Sequence, residues 1–575
     1  MLQTLTTPRG ETLSGTPWQI YPRPQMRRDS YINLNGEWDF AVSSGKPETF
    51  DMRILVPFCP ESRLSGIGRH FEEGAPLWYR RRFLLPEGFR RKRVLLHIGA
   101  ADQIAEVFVN GQHLCRHEGG YAFFCVDITE ALAEENELVI RCTDDLHDQA
   151  FPYGKQVTNR GGMWYTPVSG IWQTVWLESV SDIYIEKLNI ENHGASVTIS
   201  TVPPLEGTVS VEPLGQFPLE NGQVTIAPEN PHFWCPDDPY LYRFTVETAQ
   251  DKVESYFAIR SLEIKKVGGY PRLCLNGKSY FFHGLLDQGY WPEGLYTPPS
   301  DAAVERELSE VKALGYNLLR KHAKIEPQRW YYHCDRLGLV VWQDMVNGGS
   351  KYNLWFVTYL TNVLQPLMRR LPDKAPLWGL LSRGSESSRE EYRRELEDTV
   401  QALRCHPCVG CWVPFNEGWG QYDAAGAVQA IRALDDTRLV DEASGWYDQG
   451  GGDVYSLHNY FYPLRVRPQT RTVALSEYGG IAWPMPGHEP PRKTYGYGTA
   501  KSREELTARY KKMQLGTVLP QLQKGLSALV YTQLTDVEDE VNGLFTYDRT
   551  AIKPDANAVR SVNAALAAEF AKVIK

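Results

Sequence analysis

The stretch VGCWVPFNEGWGQYD at 409–423 decides how the chain is read. Its first half is an unbroken apolar run, the pattern of a strand buried on both faces, and it ends in Asn416-Glu417 before breaking on Gly418. A carboxylate placed there sits where strand becomes loop. A parallel (β/α)8 barrel keeps its reactive groups at that end, because its interior is packed solid. Trp412, Trp419 and Tyr422 add aromatic surface of the kind that stacks on sugar rings. Alone, a glutamate after a strand is better explained as a solvated loop residue. The second stretch, VALSEYGG at 473–480, repeats the design with Glu477 at the strand end. Two carboxylates on two strand ends of one barrel suggest an acid/base and nucleophile pair.

Around these stretches the rhythm is strand then helix. Strands are expected over 280–286, 317–322, 339–344, 409–417, 439–444, 454–460, 473–480 and 526–535, and that is the eight-strand count of a closed barrel. Helices are expected over 301–313, 327–337, 389–404, 424–434, 503–523 and 557–572, with Ser300 or Asp301 as one cap and Pro327 in a first turn. The insertion at 346–388, rich in Trp, Tyr and Leu, either roofs the pocket or packs on a neighbouring domain. Upstream, 33–178 shows short apolar alternations separated by turn signals such as Asn35-Gly36 and Asn110-Gly111, the pattern of a β-sandwich. A second β segment follows over 181–264, with immunoglobulin-like spacing but no Cys-Trp-Cys core. The expected domains are 1–180, 181–264 and 265–575.

At 575 residues the chain is too long for a single core. Its 42% hydrophobic and 23% charged content is that of an ordinary globular protein, and a net charge of −9 argues against nucleic acid as a partner. The run Arg80-Arg81-Arg82 with 90–93 reads better as a solvated strand edge than as a basic patch. No basic stretch followed by an apolar run opens the sequence and no apolar segment approaches a membrane span, so a cytoplasmic location and no membrane partner are expected. Cys405, Cys408 and Cys411 have C-x2-C-x2-C spacing, but no fourth ligand follows and Cys411 falls inside the strand leading to Glu417. No metal and no cofactor are expected, since no phosphate loop, H-E-x-x-H or C-x-x-C pair stands in a supporting context.

Cleaving an acetal at neutral pH needs one group to protonate the leaving oxygen and another to meet the developing oxocarbenium ion. Glu417 suits the acid/base, with Asn416 beside it to hold a substrate hydroxyl, and Glu477 suits the nucleophile. Tyr460, at the end of the sixth strand, either donates to Glu477 or is a core tyrosine. Further pocket candidates at or near strand ends are His283, Asp287, Gln288, Trp291, Arg320, His322, Asp344, Trp419, His458, Trp483, Tyr531 and Asp536. Arg320 and Asp344 read equally well as a buried pair tying two strands together.

The run of motifs resembles glycoside hydrolase family 2, the group of β-galactosidases, β-glucuronidases and β-mannosidases, over nearly the whole chain. It consists of NLNGEWDF from Asn33, PVSGIWQTVWLE from Pro167, PDDPYLY from Pro236, FHG from Phe282, HCDRLGLVVWQDM from His333, FNEG from Phe415 and SEYGG from Ser476. The resemblance implies a sugar-binding jelly roll, an immunoglobulin-like domain and a catalytic barrel acting by retaining double displacement. It also implies Glu417 as acid/base, Asn416 as ligand of the 2-hydroxyl, Glu477 as nucleophile and Tyr460 as its orienting tyrosine. Three positions depart from the family pattern. Trp164 stands where many members carry an aspartate, Asp287-Gln288 replaces an Arg-His pair, and the glucuronidase Asn-x-Lys clamp falls on Glu540 and Asn542. The expected substrate is therefore a small β-glycoside or oligosaccharide with a neutral terminal sugar, β-galactosidase being the first reading by analogy with the family's commonest activity. A β-glucuronidase or other uronidase is the alternative, a noncatalytic carbohydrate-binding protein a more distant one, and a homo-oligomer is left open.

Overall fold

The structure is a computed structural model that describes residues 5–488 and 493–575; the first four residues of the N-terminal stretch lie outside it. Eight parallel strands form the barrel: β1 (Phe282–Asp287), β2 (Leu318–Lys321), β3 (Val340–Asp344), β4 (Val409–Val413), β5 (Leu439–Val440), β6 (Val454–Asn459), β7 (Thr472–Gly479) and β8 (Leu526–Thr532). Their order is β5-β4-β3-β2-β1-β8-β7-β6. β4 is apolar and buried throughout, as a strand covered on both faces requires. After Pro414, which has no N–H to give a ladder, the chain re-pairs as Phe415–Asn416 with Ala443–Ser444 and carries Glu417 onto the rim.

Among the described residues no ladder joins β5 to β6, so the sheet is nearly closed rather than continuous. Asp453 donates its backbone N–H to the Val440 carbonyl (2.8 Å) and accepts from the Val440 N–H at Oδ2 (2.8 Å). Deeper in, the Ser444 hydroxyl lies 3.1 Å from those of both Ser456 and Ser476.

The helices follow their local signals. Asp301–Ala313 is capped by Ser300, Gln328–Leu337 starts after Pro327 and stops on left-handed Gly338, and Ala424–Leu434 is capped by Asp423. The third begins earlier than expected, at Glu386, because Ser385 caps it (Glu386–Leu403). The helix expected over 503–523 is broken into Arg503–Lys511, a π-helical Lys512–Val518 and Leu519–Leu522. Gly516 weakens that turn and Pro520 has no N–H for the preceding carbonyls, so the ladder widens.

The first sandwich sets a four-stranded sheet holding Val175–Val180 and Arg93–Ile98 against a six-stranded one holding Gly36–Val42 and Leu77–Phe83. Trp38, Phe40, Tyr79, Leu96, Val107 and Ile140 lie in its core. The arginine run does not lie on a sheet edge: Leu77–Phe83 and Arg93–Ile98 are both inner strands, and their arginines pair with acids on adjacent strands, Arg80 with Asp39 (2.7 Å) and Arg93 with Asp127 (3.2 Å). The second sandwich packs three strands on four around Ile199, Val209, Phe244 and Phe257. Arg28 ties the two together, donating to Glu178 (2.9 Å) and Asp251 (2.7 Å), all three buried. No helix of the described residues is long and apolar enough to cross a membrane.

Two segments cover the rim of the barrel. From the insertion at 346–388, Tyr352, Val357, Met368 and Leu381 pack with Trp419, Trp446 and Tyr447 of the barrel loops and with Tyr153 of the first sandwich. The insertion therefore does both things the sequence leaves open. From the first sandwich, the loop after Asn136–Thr143 crosses to the barrel: Tyr153 and Gly154 donate backbone N–H groups to the Asn347 carbonyl (3.0 and 2.8 Å), and Arg160 pairs with Glu538 (3.0 Å).

Candidate active site

Glu417 follows the re-paired end of β4 with φ +52°, a left-handed conformation that is uncommon for a residue with a Cβ. It is held by the bond from its N–H to the Ser444 carbonyl (2.9 Å). Gly418 must follow, since at φ +76° a Cβ there would lie 2.4 Å from the Tyr447 ring. This turn presents the Glu417 carboxyl to His458, whose Nδ1 lies 2.7 Å from Oε1. Burial keeps His458 neutral, its pKa pushed down to about 3. Its Nε2 faces the Ser444 hydroxyl at 3.0 Å and the Arg320 guanidinium at 3.5 Å. Because a guanidinium can only donate, Nε2 is the acceptor, the ring proton sits on Nδ1 and His458 is a donor to Glu417. Burial pushes the Glu417 carboxyl up to about 7, against the pull of Lys155, His322 and Arg320.

Glu477, in the last turn of β7, has the opposite surroundings. Arg320 donates to its Oε1 (3.1 Å) and the Tyr460 hydroxyl to its Oε2 (2.7 Å). Tyr460 is thus not a plain core tyrosine; its hydroxyl also meets Thr532 (2.8 Å) and its ring stacks on Tyr497 at 3.9 Å. Arg320 is fully buried and binds Asp344 through two nitrogens (2.9 and 3.0 Å) and Asn416 Oδ1 (2.8 Å). It is both the strand-tying pair partner and a site residue. His322 adds a 2.6 Å contact to Asp344. Burial alone would raise the Asp344 carboxyl, but Arg320 and His322 hold it below the usual range. Since Asn416 Oδ1 is taken by Arg320, its amide N–H groups are what it has left for a ligand hydroxyl. Arg320→Ala strands Asp344 and Glu477 without their cation, so it is expected to cost about 3–5 kcal/mol of unfolding free energy. In denaturant titrations the double variant with Asp344→Ala should lose less than the sum of the single losses.

One oxygen each of Glu417 and Glu477 and the Nδ1 of His458 lie within 4.8 Å of one another. This trio and the partly exposed Glu73, Asp145 and His147 are the groups among the described residues with metal-ligand spacing. In the trio the Nδ1 proton is given to Glu417, which leaves no lone pair for an ion there.

Six of the residues expected in the pocket take other work, and a seventh, Gln288, is buried without a partner for its oxygen among the described residues. His283 packs edge-on against Tyr316, which bonds Tyr510 of a surrounding helix, and Tyr531 packs against the same Tyr510, so both face the helices. Asp287 is neutralised by Lys321 (2.6 Å) and caps the Gly289 N–H (2.9 Å). Trp291 lies under the Arg549 guanidinium at 4.2 Å. Asp536 pairs with Lys553 (2.6 Å), and Trp483 sits in a side cluster with Ile481, Ala500 and Leu506. Trp419 does reach the site, stacked on Trp164 at 5.0 Å. The missed residue is Lys155, whose ammonium lies 4.4 Å over the Trp419 ring and 5.7 Å over Trp164. Nothing in FPYGKQ at 151–156 marks it, because its role depends on where a loop of another domain lands.

Fold and paired carboxyls together define a (β/α)8 protein with a glycosidase-like site behind two β-sandwiches. Family comparison agrees. The description "glycosyl hydrolase 2 galactose-binding domain-like" matches residues 70–161, "glycosyl hydrolases family 2" matches 182–260, and its "TIM barrel domain" matches 270–519. The chain belongs to glycosyl hydrolase family 2. A β-galactosidase of Thermoanaerobacter pseudethanolicus is 23% identical over 450 residues, 72% of this chain and 55% of that protein. The chain thus spans about half the length of that relative. A β-glucuronidase of Paenibacillus borealis is 24% identical over 557 residues, 85% of this chain and 89% of that one. Among solved structures, an uncultured Clostridium sp. β-glucuronidase superposes with a TM-score of 0.73 at 18% identity, over 95% of this chain and all of that one, a likeness of fold.

Proposed function

We propose that the chain is a retaining exo-β-glycosidase in which Glu477 is the nucleophile and Glu417 the acid/base. The observation that carries this reading is the contrast between two carboxyls with oxygens within 4.8 Å: one is held by Arg320 and Tyr460, the other is raised to about 7 by burial. Oxygens that near suit the retaining class, whose carboxyls stand about 5–5.5 Å apart, better than the roughly 6.5–9.5 Å by which an inverting enzyme admits water. Glu477 attacks the anomeric carbon and forms a glycosyl ester while the Glu417 proton passes to the departing glycosidic oxygen. Water then gives a proton to Glu417 and its oxygen to the anomeric carbon, the ester breaks, and both carboxyls return to their starting states. Asn416 holds the 2-hydroxyl through its amide N–H groups.

For the terminal sugar, a hexuronate is the reading with most support. The neutral-sugar expectation rests on Glu540 repelling a carboxylate. Burial raises the Glu540 carboxyl, and it accepts from Asn542 (2.9 Å) and from the Tyr165 hydroxyl, so no bare anion faces the pocket. The nearly full-length likeness to a protein named β-glucuronidase points the same way. A panel of nitrophenyl β-glucuronide, β-galacturonide, β-galactoside and β-glucoside, with proton NMR of the first-formed product, tests both parts. A β-anomer as first product and a uronide preference of tenfold or more are expected, the latter about 1.4 kcal/mol in the transition state. An α-anomer sinks the retaining assignment, and an equal or better rate on galactoside sinks the uronide reading alone.

A further inference from the structure

We infer that Lys155, brought from the first sandwich into the barrel mouth, is the cation that recognises the carboxylate of a uronate sugar; this rests on the uronide reading above. Lys155 is 6% exposed, yet among the described residues no carboxylate oxygen lies within 4.0 Å of its ammonium and no hydrogen bond is made to it. A buried ammonium without an anion is costly, by several kcal/mol. The faces of Trp419 and Trp164 offset part of that cost and hold the group in place without neutralising it.

Its placement is fixed from both sides. The Lys155 carbonyl accepts from the Tyr165 N–H (3.0 Å), and the Gly154 N–H preceding it is bonded to Asn347 after β3 (2.8 Å). Gly154 cannot be replaced without moving this turn, since a Cβ there would lie 2.7 Å from the Ala323 carbonyl oxygen at φ +63°.

Tyr165, whose N–H holds the Lys155 carbonyl, gives its hydroxyl to Glu540, which sets Lys155 and Glu540 at one corner of the site. Burial lowers the Lys155 pKa, and the charges of Glu540, Glu477, Glu417 and Asp344 oppose that. Glu540 occupies the position where the resemblance to glucuronidases puts the lysine-bearing clamp. The positive charge absent from the C-terminal loop is therefore delivered to the same corner of the pocket by the first sandwich. Glu540, bonded to Tyr165 and Asn542, completes no pair with it and leaves the ammonium for a ligand anion. A terminal sugar with its anomeric carbon between Glu417 and Glu477 and a carboxylate on C5 offers an anion at that end of the ring. A neutral hydroxymethyl group gives Lys155 no charge to meet.

The test compares kcat/KM of the wild type, Lys155→Met and Lys155→Arg on sugar pairs that differ only at C6, nitrophenyl β-glucuronide with β-glucoside and β-galacturonide with β-galactoside. Lys155→Met is expected to lose about 100-fold more on the uronide than on its neutral partner, as removal of one member of a buried charge pair does. Lys155→Arg keeps the charge and is expected to retain most of the uronide preference. Equal losses on both members of a pair, or a preference that survives in Lys155→Met, would overturn the role of Lys155 while leaving the uronide reading standing. A wild type that shows no uronide preference overturns the uronide reading itself, and this inference with it.

Discussion

Glu477→Ala is expected to abolish turnover and to regain it in azide, with the α-glycosyl azide as product. The variant keeps the Glu417 proton for the leaving group but has nothing to attack the anomeric carbon. Removing the carboxylate opens a space lined by Arg320 and Tyr460, which already hold an anion there. Azide entering that space attacks from the face Glu477 used, and a single displacement inverts the configuration. The loss without azide should be roughly 10⁴-fold or more in kcat, about 5 kcal/mol of transition-state stabilisation. Residual hydrolysis within tenfold of wild type, or a β-azide, would assign the nucleophile elsewhere.

Glu417→Ala has a different signature. General acid help is worth about 10²–10⁴-fold and matters in proportion to the basicity of the leaving group. Alkyl and nitrophenyl glycosides should stall by that amount, whereas departure of dinitrophenolate, which needs no proton, should be close to wild type. Azide should speed the second step from the side that water uses and yield the β-glycosyl azide. The pH profile carries a further sign. The acid works only when protonated, so with its pKa pushed up to about 7 the wild-type kcat/KM falls as pH rises through that value. In Glu417→Ala on the dinitrophenyl substrate this alkaline limb should vanish. Equal losses on good and poor leaving groups, with the limb intact, would reassign the residue.

The sequence discloses the parts of this protein whose causes are local. Helices Asp301–Ala313 and Ala424–Leu434 stand where expected because their caps, Ser300 and Asp423, lie next to their apolar periods. Glu417 and Glu477 stand out because each closes an apolar run, and Asn416, Tyr460, Arg320, His322, Asp344 and His458 gather around them. His283 and Tyr531 are misplaced because strands such as β1 and β8 are apolar on both faces, so alternation cannot tell the barrel interior from the helix side. Asp287 ends a strand as Glu477 nearly does, but Lys321 on the adjacent β2 neutralises it, and neighbours across strands are not written in spacing. Lys155 is the extreme case, a solitary lysine in an unpatterned loop. A neutral-sugar expectation follows when a cation is sought only in the barrel's own sequence.

The gap in the barrel wall between β5 and β6 bears on how freely the sequence can drift. Elsewhere strands are joined by backbone groups that every residue but proline supplies, so the wall survives almost any exchange of side chains that fits the core. At the gap a single backbone bond, from the Asp453 N–H to the Val440 carbonyl, is supplemented by the particular side chains of Ser444, Ser456 and Asp453. The same stretch bears the Ser444 carbonyl that anchors Glu417 and the hydroxyl that meets Nε2 of His458. A serine lost there is thus expected to loosen both the barrel wall and the seat of Glu417 at once.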